Sequence, residues 1–256
     1  MKNIFTKIEF HYSFLIVALG LVITGHFCNL LIFTSLILVH ESGHVLSALF
    51  LKYKVDKIII YPYGGNTKLN TYINNNIYKE FVVAIFGLFF QCIYFIVIHT
   101  LYSNGIIRQY IYDLFLLYHS SMLIFNLLPI IPLDGFKILN LFFSKFLNFN
   151  FTNNLSVFIS LFAIIFLIFT NTFENNYSFI LVLGILMKNI YQFYNNISYT
   201  YNRFMLERYL YNINYKRVKI IKDENKMYKN KSHFIIKNGK IINEKQFLEH
   251  FFCKRW

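Results

Sequence analysis

Long apolar runs separated by short polar stretches restrict the fold of this chain more than any other feature. Six such runs lie near residues 12–27, 29–51, 81–103, 109–128, 154–171 and 177–196. A helix needs roughly 17–25 apolar residues to cross the hydrocarbon of a bilayer, a length that the first and fifth runs only just reach. About a quarter of the residues in a soluble domain are charged. Here 14% of 256 residues are charged and 56% are apolar. The pattern predicts an all-α membrane protein with about six transmembrane helices. A second apolar run follows the first within a few residues, which predicts an uncleaved first helix rather than a signal peptide. Cys28, Cys92 and Cys253 are far apart and form no CxxC pair, so they do not suggest a disulfide framework.

Charge orients the runs. Lys2 and Lys7 precede the first; Lys52, Lys54, Lys57, Lys68 and Lys79 follow the second; Lys137 and Lys145 follow the fourth. The alternate connections hold only Arg108 and, over 171–178, no Lys or Arg. Cationic loops stay in the cytoplasm, so the reading is a multi-pass protein of the cell membrane with both termini cytoplasmic. Of the net charge of +13, most comes from Arg203 onward, with 14 Lys/Arg against 5 Asp/Glu. A basic segment directly after a span predicts contact with anionic lipid headgroups. No nucleic-acid reading motif accompanies the charge, and nucleic acid is not an expected partner. The expected division is a six-span membrane domain over 1–200 and a small basic cytoplasmic tail over 201–256.

Two connections depart from simple loops. KVDKIIIYPYGGNTKLN (54–70) joins a β-branched run to Pro62, Gly64 and Gly65, which predicts a short β hairpin at the membrane edge. NLLPIIPLDGFKIL (126–139) places Pro129 and Pro132 at the end of the fourth run, where proline interrupts a helix. Unwound backbone at membrane depth persists only inside protein or beside a wet cavity.

The second run contains VHESGHVLSALF (39–50). His40 and His44 are one helical turn apart on one face, the spacing at which two imidazoles share a metal. Glu41 lies about 100° round the helix, beside such a metal, where it can take a proton from a water. This is the HExxH arrangement of a zinc hydrolase. An isolated carboxylate at mid-membrane costs about 2.5–3.5 kcal/mol, so Glu41 and Asp134 both call for compensation, and a divalent cation compensates both. Asp134, on the proline-broken segment, is the leading candidate for the third ligand. A non-proteolytic membrane metal-binding or divalent-cation transport protein is the alternative reading. It has no need of a base at Glu41.

HESGH, the YPYGG loop and NLLPIIPLDG together resemble the site-2 protease family of intramembrane zinc metalloproteases, closest to its stage IV sporulation protein FB branch. The resemblance runs over roughly residues 1–210. It implies Zn2+ held by His40, His44 and Asp134, with Glu41 as catalytic base and Asn126 placing the substrate backbone. The residues themselves add an expected mechanism: an extended substrate adds a strand to the edge made by residues 57–63, with Gly64 and Gly65 as substrate-binding positions. The implied activity is regulated intramembrane proteolysis of a membrane-associated protein substrate, such as a sigma-factor precursor in sporulation. Regulatory membrane proteins are implied partners. VAIFGLFFQC (83–92) departs from the family's third-span pattern of Gly-Pro and then Asn, which Gly87 and Gln91 only approximate. The tail is too short for the full CBS domain of the sporulation branch.

Overall fold

The computed structural model of the protein describes residues 8–61, 64–170, 177–211, 213, 215, 217–237 and 240–253. Lys2, Lys7, Pro62 and most of the 171–178 connection lie outside them. The chain forms two compact units, one of residues 1–71 and 82–127, the other of 72–81 and 128–256.

The first unit opens with a short strand, β1 (Ile8–Phe10), followed by two helices, α1 (Tyr12–Ile23) and α2 (Phe27–Phe50). The expected span 12–27 stops at Ile23 because Thr24 caps α1 and Gly25, at φ +78°, turns the chain. At 1.5 Å per residue, the 12 residues of α1 reach about 18 Å, short of the roughly 30 Å hydrocarbon core. Strands β2 (Lys54–Tyr61) and β3 (Gly64–Asn70) form the expected hairpin. The helix α3 (Ile77–Ser103) carries the third run, and α4 (Gln109–Leu127) the fourth.

β1 pairs in parallel with β2, Ile8 opposite Ile58 and Phe10 opposite Ile60, so the sheet order is β1-β2-β3. This corrects the expected substrate edge. Residues 57–61 sit on the central strand, with Ile58–Ile60 paired on both sides, and β3 is the outer strand on the hairpin side. A strand of three residues leaves almost no periodic signal, which hides β1 in the sequence. Ile60 packs with Phe14, Leu36, Ile37, Phe115 and Met122, and Ile58, on the same face, with Val45, Ala48 and Val83; Ile59, on the opposite face, is buried too.

In the second unit, Pro129 and Pro132 precede α5 (Asp134–Ser144), and α6 (Phe149–Phe169) and α7 (Tyr177–Asn195) carry the fifth and sixth runs. Ser160 on α6 holds the proline segment, accepting from the Ile131 amide and donating to the Pro129 carbonyl. Among the described residues, α2, α3 and α6 are long and apolar enough to cross a membrane.

The tail is more ordered than its charge suggests. The helix α8 (Ile197–Tyr211) leads into β4 (Val218–Ile221), a 3-10 turn at Glu224–Lys226, β5 (Ser232–Lys237), β6 (Lys240–Asn243) and α9 (Glu244–Cys253). The expected boundary at residue 200 falls inside α8. Phe149 of α6, Phe204 and Met205 of α8, and Ile221, Met227, Ile235, Phe247 and Leu248 beyond them share one core.

Arg208 lies inside this assembly, its guanidinium bonded to Asn74, Glu244 and the carbonyls of Tyr228, Lys229 and Lys231. His233 accepts from the Tyr228 amide at Nε2 and meets Glu244 at Nδ1, which fixes a neutral ring that donates from Nδ1. Burial holds the His233 pKa below its usual value, against the pull of Glu244. Burial pushes the Glu244 carboxyl up, but bonding from His233 and the charge of Arg208 outweigh it and leave the group below the usual range.

Both folded-state values are lowered, so both groups favour the folded tail at neutral pH, and that support is lost as pH falls. The protection factors of the Ile235 and Leu248 amides, taken against the intrinsic exchange rate at each pH, are therefore expected to be high at pH 7.5 and to fall as pH drops below 6.5, the ordinary histidine value. Protection that stays constant down to pH 4 would contradict this assignment.

Candidate metal centre

The C-terminal half of α2 is its buried half, because there the helix packs against α4 and the sheet, with Val83 and Gly87 of α3 at His44. His40, Glu41 and His44 are 2%, 4% and 5% exposed. The two imidazoles meet edge to face, their Nε2 atoms 3.2 Å apart. Nδ1 of His44 lies 2.8 Å from the Val83 carbonyl oxygen, a group that only accepts, so Nδ1 carries the proton. Nδ1 of His40 lies 3.2 Å from Oε1 of Gln91. The Gln91 amide nitrogen donates to the His119 carbonyl at 3.1 Å, which fixes the amide orientation and makes His40 a donor from Nδ1 as well.

With Nδ1 of each ring engaged, the two Nε2 atoms are turned toward one another at 3.2 Å, the arrangement in which one cation can be bound by both. With a Glu41 oxygen they form a set of ligand atoms within 4.8 Å of one another. Neutral imidazoles with the far nitrogen hydrogen-bonded are the ordinary form of zinc-binding histidine. The residues present fit such a metal.

Two glycines keep the centre open. A Cβ on Gly87 of α3 would stand 2.3 Å from His44 Nε2 and 2.9 Å from His40 Nε2. A Cβ on Gly65 of β3 would stand 2.3 Å from Glu41 Cγ. The space in front of the imidazoles and beside the carboxylate exists because both positions lack a side chain. Thr67, two residues along β3, donates its hydroxyl to Glu41 Oε2 at 2.6 Å, which fixes the carboxylate and leaves Oε1 to accept a proton.

The other expected site residues are placed as follows. Gly64 pairs with Tyr61 at the start of β3, with open space around its Cα. Asn126 is half-buried in the last turn of α4. Asp134 is the first residue of α5 in the second unit, 4% exposed, with Lys137 Nζ 2.9 Å from its Oδ1. Thr67 and the Val83 carbonyl were not legible as site groups, because neither is a metal-ligand residue type. Gly87 and Gln91 were legible only as an imperfect match to a family pattern.

No family model matches the chain. Among curated proteins, it is 32% identical over 235 residues to stage IV sporulation protein FB of Bacillus subtilis, covering 88% of this chain and 80% of that protein. The chain belongs to the site-2 protease family. It is an intramembrane metalloendopeptidase, and the cation-carrier alternative falls away. A Synechocystis chain named as a zinc metalloprotease is 32% identical over 120 residues, 46% of this chain and 31% of that one. The solved site-2 protease from Methanocaldococcus jannaschii superposes with a TM-score of 0.55 at 25% identity, over 72% of this chain and 89% of that one.

The glycine wall gives a direct test. Gly87→Ala is expected to weaken metal retention by about 10–100-fold, the range seen when support of a ligand is lost. Gly184→Ala, where nothing lies within 4 Å of the added carbon, should leave retention unchanged. Metal content is read after dialysis against graded chelator; equal retention in both variants would contradict the placement of Gly87.

Proposed function

We propose that the chain crosses the membrane six times with both termini cytoplasmic and hydrolyses peptide bonds of membrane-associated protein substrates at a zinc held by His40, His44 and Asp134. The observation that carries this reading is the pair of buried imidazoles turned Nε2 to Nε2, 3.2 Å apart, with Glu41 fixed beside them by Thr67. A catalytic zinc keeps three protein ligands and an open position, so two imidazoles need a third donor. Asp134 is a buried carboxylate at the end of the proline segment, which supports it for that place.

Zinc, when bound, supplies Lewis acidity that activates water and polarises the scissile carbonyl. The chain's own residues do the rest. Glu41 accepts a proton from the attacking water at the oxygen Thr67 leaves free, then returns it to the leaving amine. Gly65 and Gly87 keep the room that the scissile peptide needs. An extended substrate is expected to add to the outer edge of β3, which carries Gly65 and Thr67 past Glu41. Asn126, close in sequence to the proline segment, is proposed to hold the substrate backbone.

The parallel pairing of β1 with β2 supports the topology. Two helices run between those strands, so they must start and finish at one level. The Lys distribution assigns that level to the cytoplasmic side. Anionic headgroups beside the basic surface of the tail, and regulatory membrane proteins, remain part of the proposed setting.

Reporter fusions after Lys57, Phe143 and Tyr211 are expected to report the cytoplasm, and a fusion near Glu174 the opposite side. An external signal at Tyr211 would overturn the six-span arrangement.

Glu41→Gln should abolish cleavage, by at least about 100-fold from loss of a general base, while zinc stays bound. Asp134→Ala should lower both zinc content and cleavage. Zinc per purified protein is measured beside cleavage of a co-expressed substrate. Full zinc and full activity in Asp134→Ala would place the third ligand elsewhere, and proteolysis surviving in Glu41→Gln would remove the proposed base.

A further inference from the structure

The geometry points to Gln91 as the positioning residue that sets the tautomer and ring plane of His40. The inference rests on the metal centre proposed above.

One face of α3 lines the centre at intervals of four residues. Val83 offers its carbonyl to His44, Gly87 leaves the space in front of both rings, and Gln91 meets His40. The two ligands are therefore held by different means. A main-chain carbonyl holds His44, and no substitution removes it. At His40 the group that meets Nδ1 is a side chain, the amide of Gln91.

Gln91 is fully buried in a long apolar helix, and both ends of its amide are committed. Its nitrogen faces the His119 carbonyl of α4, which can only accept. Its oxygen must then face His40, and His40 donates to it from Nδ1, which leaves Nε2 as the nitrogen turned toward the centre. The backbone of α4 thus dictates, through one amide, which nitrogen of a residue on α2 offers its lone pair. The His119 ring takes no part in this. It stacks between Phe95 and Phe115.

A buried Gln between helices has another ordinary explanation, as polar glue in a helix bundle. The two explanations predict opposite outcomes for two variants of similar size. Gln91→Met keeps the volume and removes the acceptor. The His40 proton can then move to Nε2, and metal affinity is expected to fall about 10–100-fold. Gln91→Glu keeps the acceptor and loses the donor to His119. It is expected to bind metal within about threefold of the wild type, with a lower thermal midpoint in the metal-free protein. Glue alone predicts the reverse order for metal affinity.

The experiment uses the full chain in detergent micelles. Zn2+ and Co2+ affinities are measured by competition with a chromophoric chelator, and the visible spectrum of the Co2+-loaded protein reports the ligand field. The expected result is weak binding and an altered spectrum for Gln91→Met, with near wild-type values for Gln91→Glu. Wild-type affinity in Gln91→Met, or a loss in Gln91→Glu as large as that in Gln91→Met, overturns the role. If Gln91→Met does not fold, Gln91→Asn replaces it. Its shorter side chain cannot span His40 and the His119 carbonyl together, so the same loss is expected and wild-type affinity there overturns the proposal. Absence of metal binding in the wild-type chain would instead strike the metal centre itself.

Discussion

Two imidazoles held Nε2 to Nε2 inside an apolar helix bundle are the contact on which much of this structure turns. The Val83 carbonyl and the Gln91 amide oxygen accept from Nδ1 of His44 and His40, which turns both Nε2 atoms to the same point. Beside them, Glu41 completes a buried group that could hold a metal ion.

The neighbourhood follows from that requirement. The third helix contributes a carbonyl, a missing side chain and an amide on one face. The sheet contributes a second missing side chain at Gly65 and a hydroxyl at Thr67. The glycines matter here for what they leave out, not for backbone freedom. Each one stands where a methyl group would fall within 3 Å of Glu41 or of the His40 and His44 Nε2 atoms.

The sequence was readable wherever chemistry and spacing coincide. HESGH fixed a helix face and a metal from five residues, and the β-branched run before Gly64-Gly65 announced a hairpin. It was unreadable where partners come from far along the chain. Nothing in Ile8–Phe10 tells a reader that Ile58–Ile60 will be its neighbour, so the hairpin's first strand looked like an edge and proved central. The tail was misleading for a different reason. Its lysines dominate the composition, while Ile221, Ile235 and Phe247 are isolated in sequence and meet only when folded. Arg208, counted with the surface charge, is buried against Glu244.

The place of β1 has a consequence for how the molecule is made. Its partner strand lies 50 positions further along, Ile8 against Ile58, with two helices synthesised between them. When the first strand leaves the ribosome its partner has not been made, and β2 can reach it only once α1 and α2 are in place. The sheet that presents Thr67 to Glu41 thus closes late, on a strand made at the outset. A chain in which α1 and α2 settle wrongly could be correct in every residue of HESGH and still lack the sheet that holds Glu41.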